Sequence, residues 1–253
     1  DWSSDVCSSD LCSSKSKVAS IMTGKYGATI SMLGMTGKME WFTKFFVKSD
    51  EDQTGTLDLV EFLDMADLDR TPFTKKVFLL MDNDGSGALD FRELIFAVWN
   101  FCTLDHEGLA MFTFDLYDKD ASGGIERSEL RQLVQDVYGT KKRNSKTLSV
   151  LLSKLDGMQQ HRMTKMQFIS FAAAHSRTLM PAFETQKYLR GAFIGPSFWK
   201  KATKERQKKT DPSFRASNWR QLQGKLMTGD IEYRKRRAAA AAGPRGTGAA
   251  RGR

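Results

Sequence analysis

Three short stretches of the chain set side-chain oxygens at alternating positions around a glycine, a spacing suited to enclosing a hard divalent cation. In the clearest, Asp82, Asp84 and Ser86 stand at positions 1, 3 and 5, Gly87 at 6, Asp90 at 9 and Glu93 at 12. Alternation turns every second side chain inward as the loop closes, the carbonyl of Ala88 adds an oxygen at position 7, and Glu93 offers two oxygens at once. Gly87 permits the sharp bend that a Cβ would obstruct. A bidentate carboxylate raises the coordination number toward about seven, which suits Ca2+ and disfavours the smaller, octahedral Mg2+.

The pattern returns with Asp118, Asp120, Ser122, Gly123, Glu126 and Glu129, where Gly124 gives the position-7 carbonyl. It returns again with Asp50, Asp52, Thr54, Gly55, Asp58 and Glu61, where Thr56 gives that carbonyl. Position 5 carries Ser or Thr where the strictest pattern has Asp or Asn, yet each hydroxyl still presents an oxygen. The bulkier Thr54 makes the first loop the weakest of the three expected sites. Any one acidic turn of Asp, Ser and Gly is commonplace; three copies with Leu57, Leu89 and Ile125 at matching position 8 are not. A fourth copy, residues 156–167, is damaged: Met158 at 3, Gln160 at 5, His161 in place of the bend glycine, Arg162 beside it and Gln167 in place of the bidentate Glu. One remaining carboxylate beside an arginine does not replace the hydration of Ca2+, so this loop is expected to stay empty. Its apolar position 8, Met163, is kept.

Over roughly residues 39–175 these loops and their flanks resemble the EF-hand family. The resemblance implies an all-α fold of two paired lobes, four helix-loop-helix units in all. It further implies a short antiparallel bridge at position 8 within each pair, Leu57 with Leu89 and Ile125 with Met163. The fourth unit would then be structural, completing the second lobe. The spacing of Pro181, Phe183, Gln186, Leu189, Arg190, Gly195, Phe198 and Trp199 is similar to a C-terminal extension of protist calcineurin-B-like EF-hand proteins.

The elements that must position these loops are legible on either side of them. Phe42, Phe45 and Phe46 precede the first loop at helical spacing, Phe78 and Met81 the second, Phe114 and Tyr117 the third, and Val150, Leu151 and Leu155 the fourth. Phe62 and Met65, Leu94 and Val98, Leu130 and Leu133, and Phe168 and Phe171 form an apolar face after each loop. Thr71-Pro72 reads as an N-cap and a first-turn proline opening the second entering helix. After the fourth unit the sequence predicts a helix to about Arg190, a break over 191–195 and a basic helix led by Phe198 and Trp199. The expected organisation is a flexible lead-in over 12–37, lobes over 38–102 and 103–176, a helical extension over 177–209 and a basic, largely disordered tail over 210–253. Residues 1–11, which begin with Asp, resemble a translated sequencing adapter and stay outside the fold reading; the native start, with any acylation signal, is expected to be missing.

Net charge separates body from tail. Of 39 basic and 30 acidic residues, 16 and 4 lie in 200–253, a net +12, which leaves 23 and 26, a net −3, in 1–199. The acidic body fits cation binding, and the basic tail fits an anionic partner such as a membrane surface. A nucleic acid is not expected, for lack of a folded platform of stacking aromatics. No apolar run approaches the roughly 18 residues of a membrane span. The three cysteines form no disulfide framework, which fits a reducing cytoplasmic setting.

Catalytic constellations are missing from the pattern. Cys102 and His106 are four residues apart without an orienting acid, and His106, His161 and His175 lack metal-ligand spacing. The expected activity is therefore not enzymatic. A surplus of apolar side chains, Phe96, Trp99, Phe101, Met111 and Phe112 among them, points to a sensor that opens on binding Ca2+ and accepts an amphipathic target helix. The basic amphipathic stretch carrying Phe214, Trp219, Leu222 and Leu226 resembles such a target segment within the chain, the other reading being a partly ordered surface helix. The alternatives are a Ca2+ buffer and the regulatory part of a longer enzyme.

Overall fold

A computed structural model describes residues 33–35, 37–138, 149, 150, 153, 157 and 162–208. Residues 1–32, Leu151, Leu155, positions 156 and 158–161 of the fourth loop and the tail from 209 onward lie outside the described residues, as do the expectations made for them.

The first lobe is built from helix α1 (Met39–Ser49), strand β1 (Thr56–Leu57), helices α2 (Leu59–Met65) and α3 (Pro72–Met81), strand β2 (Leu89–Asp90) and helix α4 (Phe91–Cys102). The second comprises α5 (His106–Tyr117), β3 (Gly124–Glu126), α6 (Arg127–Tyr138), β4 (Arg162–Thr164) and α7 (Lys165–Ala174). A 3-10 turn, Ser176–Leu179, leads to α8 (Met180–Ala192) and α9 (Pro196–Lys208).

Local chemistry sets the starts of these helices. Thr71 accepts from the N–H of Thr74 while the Thr74 hydroxyl receives the N–H of Thr71, and Pro72 occupies the first turn of α3. Asp58, Asp90 and Thr164 cap α2, α4 and α7 in the same reciprocal manner, with Glu61, Glu93 and Gln167 as their partners three residues on. Gln167 thus keeps the capping role of the glutamate it replaces.

Each lobe is joined by a two-stranded antiparallel bridge. Leu57 pairs with Leu89, and Ile125 with Met163, the expected register. All four are buried, so the bridges carry the core directly beneath the loops. Phe42, Phe46, Phe62, Phe78, Phe91, Leu94, Phe114, Leu130, Leu133 and Phe168 join them in one continuous core.

The lobes meet through a polar node that sequence reading did not anticipate. Asp136 on α6, its side chain 2% exposed, accepts from Lys76 on α3, from the Tyr117 hydroxyl (2.9 Å) and from Gln132 Nε2 (2.8 Å). Lys76 also lies over the Tyr117 ring, 4.9 Å from its centroid. Burial, with the Asp136 charge beside it, pushes the Tyr117 hydroxyl above its ordinary range, so it remains a donor.

Two observations refine the expected boundaries. Within the lead-in over 12–37, Leu33 and Met35 are buried, and Met35 accepts from the N–H of Lys38 just before α1. Two apolar side chains so close to a helix start are better placed against the core than in water. The break in the extension also falls later, because α8 continues to Ala192. The chain then turns through Ile194 and Gly195, both at positive φ (66° and 104°).

This turn seats Phe193 against the first helix. Fully buried, its ring lies 5.0 Å from Phe45, 5.7 Å from Phe42 and 5.9 Å from Trp41. Trp199, also fully buried, donates its indole N–H to the Phe193 carbonyl. Replacing Phe193 with Ala should therefore cost about 3–5 kcal/mol in urea denaturation, the range for emptying an aromatic site in a packed core. A change under about 1 kcal/mol would show that the extension does not contribute to the core.

Candidate metal centres

In each of the first three loops the carboxylates at positions 1, 3 and 12 converge. Asp50, Asp52 and Glu61 bring one oxygen each within 4.8 Å of the others, as do Asp82, Asp84 and Glu93, and Asp118, Asp120 and Glu129.

Backbone N–H groups hold them there. Asp50, Asp82 and Asp118 each accept from the N–H of the position-6 glycine, at 3.0, 2.8 and 3.0 Å. Those glycines have φ of 83°, 86° and 80°, a region open to them without Cβ strain. Asp52, Asp84 and Asp120 accept from the N–H two residues on, at 3.1, 3.0 and 3.1 Å. The hydroxyls of Thr54, Ser86 and Ser122 donate to the carbonyls of Thr56, Ala88 and Gly124, gathering the position-5 and position-7 oxygens at one place.

The position-12 glutamate closes the loop. Glu61 accepts the N–H of Glu51 on one oxygen (2.8 Å) and that of Asp58 on the other (3.0 Å). Glu93 does the same with Asn83 and Asp90, both at 3.1 Å, and Glu129 with Lys119 and Glu126, both at 3.0 Å. A single carboxylate on the first turn of α2, α4 or α6 therefore ties the two ends of the loop before it.

The position-9 groups stand apart from these clusters. Asp58 and Asp90 are engaged as helix caps. Glu126 instead takes an ion pair from Arg162 Nη2 at 2.7 Å. Sequence reading also missed position 4, where Gln53, Gly85 and Ala121 all adopt positive φ (59°, 72° and 54°). The glycine at 85 was the available signal.

The donor set fits a hard cation. Asp50 Oδ1 is buried without a hydrogen-bond partner, an orphaned acceptor aimed into an all-oxygen cluster. Burial raises the pKa of Asp50, with Glu61 and Asp52 adding to the effect. Burial likewise raises that of Glu93, reinforced by Asp90 and Asp84. Hydrogen bonds from Ser86 and Ser122 lower those of Asp84 and Asp120. Converging, desolvated carboxylates are held at a cost that a divalent cation would relieve.

Elsewhere, Cys102 ends α4 as a buried free thiol whose pKa burial drives upward, which disfavours the thiolate a nucleophile needs. His106 packs on the Phe183 ring at 5.3 Å. No helix among the described residues is long and apolar enough to cross a membrane.

Loop-and-helix units paired through a position-8 bridge, with acidic clusters in their loops, define a class, and comparison with known proteins finds the same one. The family model described as EF hand matches residues 74–98 and 113–134, around the second and third loops. The calcineurin B protein of Schizosaccharomyces pombe is 29% identical over 135 residues, 53% of this chain and 78% of that protein. Calcineurin B type 2 of Homo sapiens is 35% identical over 95 residues, 37% of this chain and 56% of that protein. The guanylyl cyclase inhibitory protein of Lithobates pipiens is 33% identical over 104 residues, 39% of this chain and 49% of that protein. The match thus spans little more than half of the human calcineurin B protein. The chain has the all-α EF-hand fold and is similar over part of its length to the calcineurin B proteins. It is accordingly a Ca2+-binding protein of a regulatory kind.

Proton linkage gives a direct test of the second loop. Because the folded pKa of Glu93 is raised, the metal-free fold gains stability from this group below the ordinary glutamate pKa and loses it as pH rises through the raised value. A cation competes with that proton. Calorimetric titration with Ca2+ at mildly acidic pH, in two buffers of different ionisation enthalpy, should show proton release that falls in Glu93→Gln, the remainder coming from other raised carboxylates such as Asp50. Equal release in both proteins would separate Glu93 from the binding event.

Proposed function

We propose that this protein is a Ca2+ sensor or regulatory subunit in which the first three hands each bind one ion and the fourth binds none. Its ligands are those read from the sequence at positions 1, 3, 5, 7, 9 and 12, with the position-9 groups contributing least directly. The observation that carries this reading is the position-12 glutamate, which belongs at once to the ion cluster and to the first turn of the exiting helix. Any ion that draws on Glu61, Glu93 or Glu129 pulls on α2, α4 or α6.

The ultimate recipient is an amphipathic helix of a target protein. The calcineurin B relatives are by name subunits, parts of an assembly, and the guanylyl cyclase inhibitory protein is by name a regulator, which supports a protein partner here. Two of the residues assigned to a receiving face, Trp99 and Phe101, meet the chain's own extension. Gln186 on α8 donates to the Phe101 and Leu104 carbonyls, and Arg206 on α9 lies 5.3 Å over the Trp99 ring. Opening would thus expose Trp99, Phe101 and the Phe193 nest together. The organisation into lobes 38–102 and 103–176 with extension 177–209 belongs to this reading, as does a reducing cytoplasmic setting.

Calorimetry of the wild-type chain should give about three ions, falling toward one in the Glu93→Gln, Glu129→Gln double variant, because a bidentate glutamate is the hardest ligand to replace. Unchanged stoichiometry would reject the ligand assignment. Ca2+ should also increase the fluorescence of a hydrophobic dye. Binding without any increase would identify a buffer instead of a sensor.

A further inference from the structure

The damaged fourth loop contributes a cation to the third. Arg162 opens β4 directly opposite Glu126, and its guanidinium reaches the Glu126 carboxylate at 2.7 Å. Its aliphatic stem lies across the bare α-carbon of Gly124, where a Cβ would collide with Arg162 Cγ and Cδ. Gly124 is also the residue whose carbonyl stands at position 7 of the third loop, with the Ser122 hydroxyl donating to it. The absence of a side chain at 124 therefore lets a fixed positive charge settle beside the third cluster. The same charge acts on Asp118 and Asp120, which in turn favour the charged guanidinium.

The first lobe has no equivalent. There the residue opposite Asp90, the position-9 group of the second loop, is the uncharged Thr56. Two hands of similar ligand chemistry thus differ in one tethered charge supplied by their bridge partners.

We propose that Arg162 is an affinity-setting residue for the third hand, holding Glu126 away from the ion and offsetting the charge of the cluster, so that this hand binds Ca2+ more weakly than the second. This rests on the reading that the third hand binds Ca2+. A guanidinium does not deprotonate under physiological conditions, so the effect is permanent. Arg162 and Glu126 side chains are 34% and 48% exposed, so salt screens the effect.

The test uses the full chain with Glu93→Gln removing the second hand, titrated with Ca2+ at low and high salt. Arg162→Gln, which keeps most of the stem over Gly124, should tighten the third hand about three- to tenfold at low salt, a change expected from one nearby charge on a divalent ion near a protein surface. The gain should shrink at high salt. Arg162→Lys, which keeps the charge, should remain near the parent affinity. Unchanged affinity in Arg162→Gln at both salt concentrations overturns the proposal, as does weaker binding, which would make Arg162 a strut. Lysine behaving like glutamine rejects the role of charge. If adding Glu129→Gln leaves the parent titration unchanged, the third hand does not bind, and that reading fails together with this one.

Discussion

The carboxylate at position 12 is the joint on which this structure turns. Glu61, Glu93 and Glu129 each accept one N–H from the loop's second residue and another from its ninth, while sitting on the first turn of the exiting helix. A helix start is a favourable place for negative charge, because its N–H groups are unsatisfied and its dipole is positive there. The backbone N–H groups of Asp58 and Asp90, donated to Glu61 and Glu93 in the reciprocal caps of α2 and α4, add to that attraction. Two further carboxylates are drawn into the same small volume by glycine and serine N–H groups. The loops are therefore closed in advance, with mutual repulsion as the residual cost, most evident at buried Glu93. A divalent cation removes that cost without having to gather the ligands.

Closed loops would be isolated events without paths between them. Within a lobe the path is the bridge, whose buried position-8 residues make two loops share one core contact. Between lobes it is Asp136, which ties the entering helix of the second hand to the exiting helix of the third through Lys76 and Tyr117. Breaking a buried pair of this kind from one side leaves an uncompensated charge, so the node favours concerted movement over independent opening. The connection between α4 and α5 is fixed separately. Helix α4 ends in carbonyls with no partner in the helix, and Gln186, Arg190 and Arg206 collect those of Asn100, Phe101 and Cys102 together with that of Leu104 just beyond it. Arg206 is almost wholly enclosed, and its pKa is lowered by burial to about 10, which still leaves it charged at neutral pH beside the negative end of a helix.

What could be read in the sequence were the features governed by short-range rules. The oxygens of each loop lie within twelve residues and Thr71-Pro72 marks a helix start by local chemistry, whereas the position-8 bridge came only with the resemblance to a family. What could not be read depended on residues distant in the chain. Lys76 and Asp136 are sixty positions apart, and Arg206 meets Asn100 across more than a hundred. Nothing in their local spacing distinguishes them from solvated surface charges. Glu126 is intermediate: its place in the motif was plain, but its engagement by Arg162 follows from strand pairing across two loops. The burial of Leu33 and Met35 was obscured for another reason, since two apolar residues before a helix give no periodic signal.

The extension bears on how much an ion must do. Burying a large apolar side chain contributes about 1.5–3 kcal/mol, so Phe193 and Trp199 alone hold α8 and α9 against the lobes by several kcal/mol before any hydrogen bond is considered. A ligand can shift a conformational equilibrium only by its difference in affinity for the two states, commonly about 1–3 kcal/mol per coupled site. One loaded hand is thus poorly matched to releasing the extension. Two or three acting through the bridges and the Asp136 node are better matched, and a target helix that replaces the lost contacts lowers the requirement further. The same fold would then respond steeply to Ca2+ when a partner is present and weakly when it is alone, a consequence of apolar contacts within the chain rather than of the loops themselves.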